Sequence, residues 1–419
     1  MHKKRKTQII RSSLKTSTIE GSWWAVMYGS VETYFGAFFE FLKYSSYEIS
    51  ILSTLPLFIG SIFQNYSNIF FHLLKSRKLL LIILKLIQTM LIPGIFYFGI
   101  KTDNFYVFLI FLCFYFIIAI SQMSPWTSWM GYLVPGRVRG RYFGNRSQVV
   151  RIFMLVSSLT AGAILNAYND TNALLGFGIL FGIGFLASFG SIAYLAKQYE
   201  PPYQITNEDK GKINLNDKKF ENIKKFITYD ALSEFAFHIS GPLMMVFWLR
   251  EQNFDYIEIA ILINVSQVLG LFSLRYWGKK IDQLGTFTTI RWTSFCIGIF
   301  PLFWVSTFFI PEELKLPVSL IIASLASLMF SGRALAMDNR LYEHMLGKNM
   351  IKLTSKRIFY RGLFIFLGGF FGGYLTRSEL YLFHKNFEYL TPILMVFIFS
   401  SIVRLFIWFI YLGSENRTI

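Results

Sequence analysis

The chain has 419 residues, 54% of them hydrophobic and 19% aromatic, and only 16% charged. Soluble domains average about 45–50% apolar and about 25% charged residues, and here the apolar residues lie in long unbroken runs, which sets a soluble fold aside in favour of a multi-pass membrane protein. The net charge of +17 is spread over short clusters between those runs, so nucleic acid is not an expected partner.

In chain order, MHKKRKTQIIRSSLK is too polar for a cleaved leader and reads as a cytoplasmic basic arm over residues 1–20, resting on anionic lipid. With about 20 apolar residues needed per crossing, about twelve spans follow, near 21–43, 48–73, 79–100, 105–133, 147–168 and 173–196, then 225–249, 256–277, 284–309, 316–339, 357–377 and 388–412. The fold class is therefore all-α, with a six-helix bundle over 21–196, a polar linker over 197–224 that opens with Pro201-Pro202, a second bundle over 225–413 and a cytoplasmic tail over 414–419. Counted over alternate loops, 32 of the 41 Lys and Arg fall on the side that holds both termini, which predicts cytoplasmic ends. Cys113 and Cys296 lie in apolar runs and read as small buried side chains, with no metal spacing and no disulfide framework.

The halves rhyme. Each has a short basic loop between its second and third spans, HLLKSRK and WGKKIDQLG, and a long basic loop between its fourth and fifth, PGRVRGRYFGNR and LGKNMIKLTSKR. Parallel six-helix repeats are a known transporter architecture that holds substrate near the membrane midplane.

Twelve spans split six and six by a cytoplasmic linker resemble the major facilitator superfamily. Its signature after span 2, and more weakly after span 8, is Gly-x-x-x-Asp-x-x-Gly, present here as Gly278, Asp282 and Gly285. The resemblance implies a cytoplasmic gate in which Gly allows close helix approach and Asp caps a helix or pairs with Arg. The first half departs from it, with Phe70, Leu74 and Arg77 at the matching places. The loop VPGRVRGRYFG resembles the span 4–5 loop of bacterial members, with Gly136 where an acid is usual, and its Arg137, Arg139 and Arg141 read as topology anchors and gate contacts. Span 5, LVSSLTAGAILN, lacks the Gly-Pro of the family's drug–proton antiporters. Ser158 with Gly162, Gly368 with Gly372 and Gly369 with Gly373 offer small faces for helix packing.

A charge at mid-bilayer costs at least about 2.5 kcal/mol, so each one needs a reason. Glu32 lies near the centre of span 1. Asp230, Glu234 and His238 share one face of span 7, its counterpart, ahead of Gly241-Pro242, which would kink the helix. Together these side chains read as a proton path and cavity lining, because carboxylate and His chains are what membrane proton relays are built from, with Asp230 solvated near the cytoplasmic end and Glu32 and His238 satisfied by neighbouring helices as the alternative. Arg333 in span 10 is placed to reach an anionic substrate or a carboxylate such as Glu234. Asp338, Asn339, Arg340 and Glu343 read as an inner gate network with Arg357 and Arg361, while Lys85 and Arg404 read as snorkelling structural cations. Gln64, Asn65, Asn68, Asn264, Gln267, Trp126 and Trp129 are the softer cavity candidates, suited to hydrogen bonding and stacking with a solute, with helix–helix hydrogen bonds as the alternative.

No Walker P-loop is present, and the loops carry few His and no paired ligands, so the expectation is a monomeric secondary transporter of a small organic solute, without cofactor or enzymatic activity. Alternating access with proton coupling is the preferred mechanism, and lipids are the surrounding partner. A lipid or amphiphile flippase of the same fold, with 46 Phe available to line a greasy cavity, is the alternative, ahead of an integral-membrane enzyme.

Overall fold

The computed structural model describes residues 2–64, 74, 76–102, 104–135, 139–201, 221–344, 350–377 and 390–413. Among these, the regular structure is helical throughout. The helices are α1 His2–Ser30, α2 Phe35–Phe41, α3 Ser46–Gln64, α4 Arg77–Lys101, α5 Phe105–Ser121, α6 Met123–Leu133, α7 Arg139–Ala196, α8 Glu221–Ser240, α9 Tyr256–Leu284, α10 Thr286–Ser306, α11 Glu312–His344, α12 Met350–Leu375 and α13 Pro392–Leu412. Ten stretches of the described chain are long and apolar enough to cross a membrane. One of them, Tyr142–Ala196, covers two of the positions read as spans and breaks at Asn172, where φ is −158° and ψ 77°. The position read as span 1 is helical but interrupted, since a 3-10 turn at Glu32–Tyr34 separates α1 from α2.

Local chemistry explains many boundaries. The Ser76 hydroxyl accepts from the Leu79 N–H at the start of α4, and Asn104 does the same for Tyr106 and Val107 at α5. Asp255 and Glu258 close a capping box on α9. Gly285 ends that helix at φ +79°, a conformation in which a side chain would be strained. At Gly241-Pro242 the missing proline N–H breaks α8, and the chain continues as a 3-10 turn, a short α turn and π-helical Phe247–Glu251.

The chain forms two compact units, 1–42 with 55–205 and 43–54 with 206–419. The division falls in the polar linker, and the first turns of α3 group with the second unit. The interior of the first unit is aromatic. Phe38 is fully buried and its ring lies 5.0 Å from Phe181 and 5.3 Å from Phe177, while Phe96 is 5.3 Å from Phe181. These rings pack on one another, which is how this part of the phenylalanine content is spent. The stretch read as a free arm is the first part of α1, and its Ser13, Ser17 and Glu20 face is buried. Ser13 accepts from the Tyr199 N–H and the Leu14 carbonyl accepts from Tyr142, so α1 is anchored well before residue 21.

In the second unit a core of Phe226, Ile227, Tyr229, Ile281, Ile290 and Met337 surrounds α8. The small faces of α12 work as packing surfaces. A Cβ at Gly368 or Gly372 would stand 2.2 or 1.9 Å from the carbonyl oxygens of Phe235 and Ile239 on α8, and one at Gly369 or Gly373 would collide with Thr54 and Ser50 on α3. The absence of side chains is what lets α12 lie directly on the α8 backbone.

Candidate functional site

In the second unit, two carboxylates one turn apart on α8 meet two arginines one turn apart on α12. Asp230 is 1% exposed. Its Oδ2 accepts from Arg357 Nε at 2.6 Å, and Glu234 Oε1 accepts from Arg361 Nη2 at 2.6 Å. Equal spacing of four residues on both helices makes these rungs compatible. From α11, Arg333 Nη2 lies 3.8 Å from Asp230 Oδ1, and Arg361 Nε also lies 3.8 Å from Asp230. One carboxylate is thus shared by three guanidinium groups. Arg333 sits over the rings of Phe237 at 4.7 Å and Tyr229 at 5.7 Å. His238 Nδ1 is 2.9 Å from the Glu234 carbonyl oxygen and 3.6 Å from its carboxylate. Arg357 also reaches Asp338 at 3.3 Å on the more exposed side.

Several expectations change here. Arg333 approaches Asp230, because Arg361 already occupies Glu234. Arg357, expected at a cytoplasmic gate, is buried and is the principal partner of Asp230. Arg404 does not snorkel. Its guanidinium donates to the carbonyls of Ala236, Phe237 and Ile297 and to the hydroxyls of Ser240 and Ser400. It thereby satisfies backbone acceptors beside the break at Gly241-Pro242. A small cavity next to it is lined by Tyr229, Ser233, Phe237, Ser294 and Trp408. Asn264 is buried and donates to the Ala260 carbonyl of its own helix at 2.7 Å.

The gate signature lies at the end of α9. A Cβ at Gly278 would meet no described atom within 4 Å, whereas Gly285 has a positive φ that a side chain would strain. Asp282 is exposed and has no hydrogen bond or ion pair to another described residue. The tie at this end runs instead from Thr286 to Glu343 at 2.8 Å, with Arg340 on the same carboxylate at 2.8 Å.

In the first unit, Glu32 sits in the 3-10 break of the first span, and its carboxylate accepts from the buried Tyr115 hydroxyl of α5 at 2.7 Å. A separate charge centre lies on α1. Buried Glu20 pairs with Lys85 and accepts from Ser191 at 2.9 Å, and Arg146 approaches it at 3.4 Å. Lys85 therefore points inward, contrary to the snorkelling expectation. Glu20 had been counted in the arm, although Ser13, Ser17 and Glu20 repeat at helical spacing and could have marked a buried polar face. Beside Lys85 is a small cavity lined by Trp24, Met27, Gln88, Thr89, Ser188 and Ser191, and Gln88 accepts from Gln122 at 2.7 Å.

Trp129 is fully buried in an apolar core with Leu81, Met130 and Leu195, its indole donating to the Tyr199 carbonyl at 3.2 Å. It anchors the end of α7 and does not line a cavity. Trp126 lies under Arg146, 4.7 Å from the ring centre. Gln64 is the last residue of α3 and is half-buried. Where the first half lacks the gate signature, Glu200 has taken over a capping role. It accepts from the Ser76 hydroxyl and the Arg77 N–H, both at 2.6 Å, at the N-terminus of α4. Nothing in the pattern of the linker flags Glu200. Asn65, Asn68, Phe70, Gly136 and Arg137 lie outside the described residues, as do the side chains of Arg139 and Arg141 and the tail 414–419. Among the described residues, no group of three or more His, Cys, Asp or Glu could hold a metal ion.

A family model described as Major Facilitator Superfamily matches residues 24–351. The chain belongs to the Major Facilitator Superfamily. It is a multi-pass membrane protein of a transporter family, and solved structures agree in fold. A variant of the nucleoside transporter NupG superposes with a TM-score of 0.73 at 11% identity, covering 96% of this chain and 100% of that one. A bacterial homologue of the iron transporter ferroportin gives 0.68 at 12% identity, covering 95% and 98%. A bacterial homologue of the human lysosomal transporter Spinster gives 0.67 at 12% identity, covering 98% of each chain. At these identities the likeness is one of fold alone. No curated protein matches the sequence.

Proposed function

We propose that this member of the superfamily is a secondary transporter of a small organic solute, working by alternating access and driven by protons, with both termini on the cytoplasmic side of a bacterial inner membrane. Glu32 carries the proton reading. It is a carboxylate placed where the first helix is broken, and its hydrogen bond comes from the neutral Tyr115 hydroxyl. Protonating Glu32 leaves no described cation without its counter-charge, whereas protonating Glu234 takes from Arg361 its 2.6 Å partner and leaves it only Asp230 at 3.8 Å. Glu32 is accordingly the proton carrier, and Glu234 with His238 is the responding element in the second unit. The π-helical and 3-10 segments after Gly241-Pro242 give α8 a place to bend.

Uptake of a solute panel into proteoliposomes, with and without an inward proton gradient, tests this. Wild-type uptake is expected to rise with the gradient, and Glu32→Gln is expected to remove the rise while leaving counterflow exchange. Transport in Glu32→Gln that is driven by the gradient as in the wild type sinks the proton assignment. Absence of any solute movement sinks the transporter reading.

A further inference from the structure

We propose that Arg333 and Arg361 form an oxyanion-binding site, so that the transported solute carries a carboxylate or phosphate group. The proposal rests on the transporter reading only for the ligand being cargo. The buried cluster in the second unit holds two carboxylates, Asp230 and Glu234, against three guanidinium groups, Arg333, Arg357 and Arg361. Asp338 also touches Arg357, but its side chain is 65% exposed and its charge is spent largely on water. Arg404 adds a fourth cation and brings no carboxylate of its own, being held by carbonyls and hydroxyls. The interior is short of negative charge, in a position where an uncompensated cation is costly.

The shortage is localised. Arg357 has a full-strength bond to Asp230, but Arg333 Nε and Nη2 and Arg361 Nε are buried with no hydrogen-bond partner among the described residues. Arg333 as a whole is 6% exposed. Both arginines approach Asp230 only to 3.8 Å, beyond hydrogen-bond reach. Guanidinium donors in a fixed fork are matched by the oxygens of a carboxylate or phosphate, and a single ammonium would not serve as well. The Arg361 side chain, 39% exposed, is the accessible end, and Arg333 is the dry end on its aromatic support of Phe237 and Tyr229. An arriving oxyanion supplies the missing acceptors for Arg333 Nε and Nη2 and competes with Glu234 for Arg361. A neutral sugar accepts hydrogen bonds but brings no charge to offset these cations.

The test is thermal unfolding of the purified full-length chain in detergent, at fixed ionic strength, with succinate, inorganic phosphate, 3-phosphoglycerate or chloride. At least one of the three oxyanions is expected to raise the midpoint saturably, and the carboxylate, phosphate and mixed probes distinguish which group is recognised. Arg361→Gln, at the accessible end, is expected to weaken the apparent affinity about tenfold, the loss of one charge-assisted pair. Arg333→Lys, which keeps the charge but not the fork, is expected to weaken it similarly. A rise no larger than that given by chloride, the absence of any saturable rise, or a saturable rise unchanged in both variants overturns the proposal. Binding requires no transport, so oxyanions that bind but never cross proteoliposomes would refute the transporter reading and leave the site standing. Uptake of neutral solutes without oxyanion binding would do the reverse.

Discussion

The two units bury their charges in different ways. In the first, Glu20 is enclosed by Lys85, Ser191 and Arg146, and Glu32 stands apart on the Tyr115 hydroxyl. Each acid there keeps its own partners. In the second, three guanidinium groups converge on Asp230 and Glu234, and Asp230 is shared among all three. A closed pair fixes helices in one arrangement, because separating it leaves a buried charge unpaired. A shared acid allows partners to exchange with little change in total pairing. From this comparison we expect the Glu20 centre to hold α1, α4 and α7 together and the Asp230 centre to be the part that rearranges.

The largest expected effect breaks the second centre. Asp230→Asn leaves one carboxylate among three guanidinium groups and is expected to cost about 3–5 kcal/mol, read as a lowered unfolding midpoint of the purified protein. Adding Arg357→Gln is expected to recover part of the loss, and a double variant as unstable as the additive sum would show that the two residues do not act as a pair. Next comes the Glu20 centre. Glu20→Gln strands Lys85 and is expected to cost about 3 kcal/mol, whereas Glu20→Leu with Lys85→Met is expected to restore most of that stability, as apolar replacement of buried pairs often does. A stable Glu20→Leu/Lys85→Met protein that no longer transports would mean that the first centre also moves, and the contrast between the units would fail. The smallest effect is Tyr115→Phe, which deletes one hydrogen bond to Glu32 and is expected to cost about 1 kcal/mol. It should shift the pH profile of uptake more than the unfolding midpoint, and a pH profile identical to wild type would argue that Tyr115 does not set the protonation of Glu32.

Much of the second centre was legible. Asp230 and Glu234, and likewise Arg357 and Arg361, are four residues apart inside apolar runs, so each pair had to share a helix face. Which pair meets which is not legible, and of the partners open to Arg333, an anionic substrate or a carboxylate such as Glu234, the neighbour in the structure is the carboxylate of Asp230. The first unit was harder to read. Glu20 follows six basic residues, and a search for apolar windows places the start of the span after it. The burial of Glu20 depends on Lys85 and Ser191, which are 65 and 171 residues away. For Trp129 and Asn264 the sequence leaves a cavity role and a helix–helix hydrogen bond open, because indoles and amides in a span suit both a solute and a neighbouring helix, and only packing separates those outcomes.

The sequence alone determined the membrane-spanning, all-helical class and the presence of acidic side chains inside apolar runs, Glu32 and Asp230 with Glu234. These follow from local composition and helical periodicity, which lipid enforces by leaving backbone groups no partner but their own helix. The tertiary structure decided which charges are closed pairs and which share, that Glu200 caps α4 in place of the missing signature, and that the glycines of α12 lie on α8. Those depend on distances between residues far apart in the chain, where a difference of about 1 Å separates a hydrogen bond from a bare electrostatic contact.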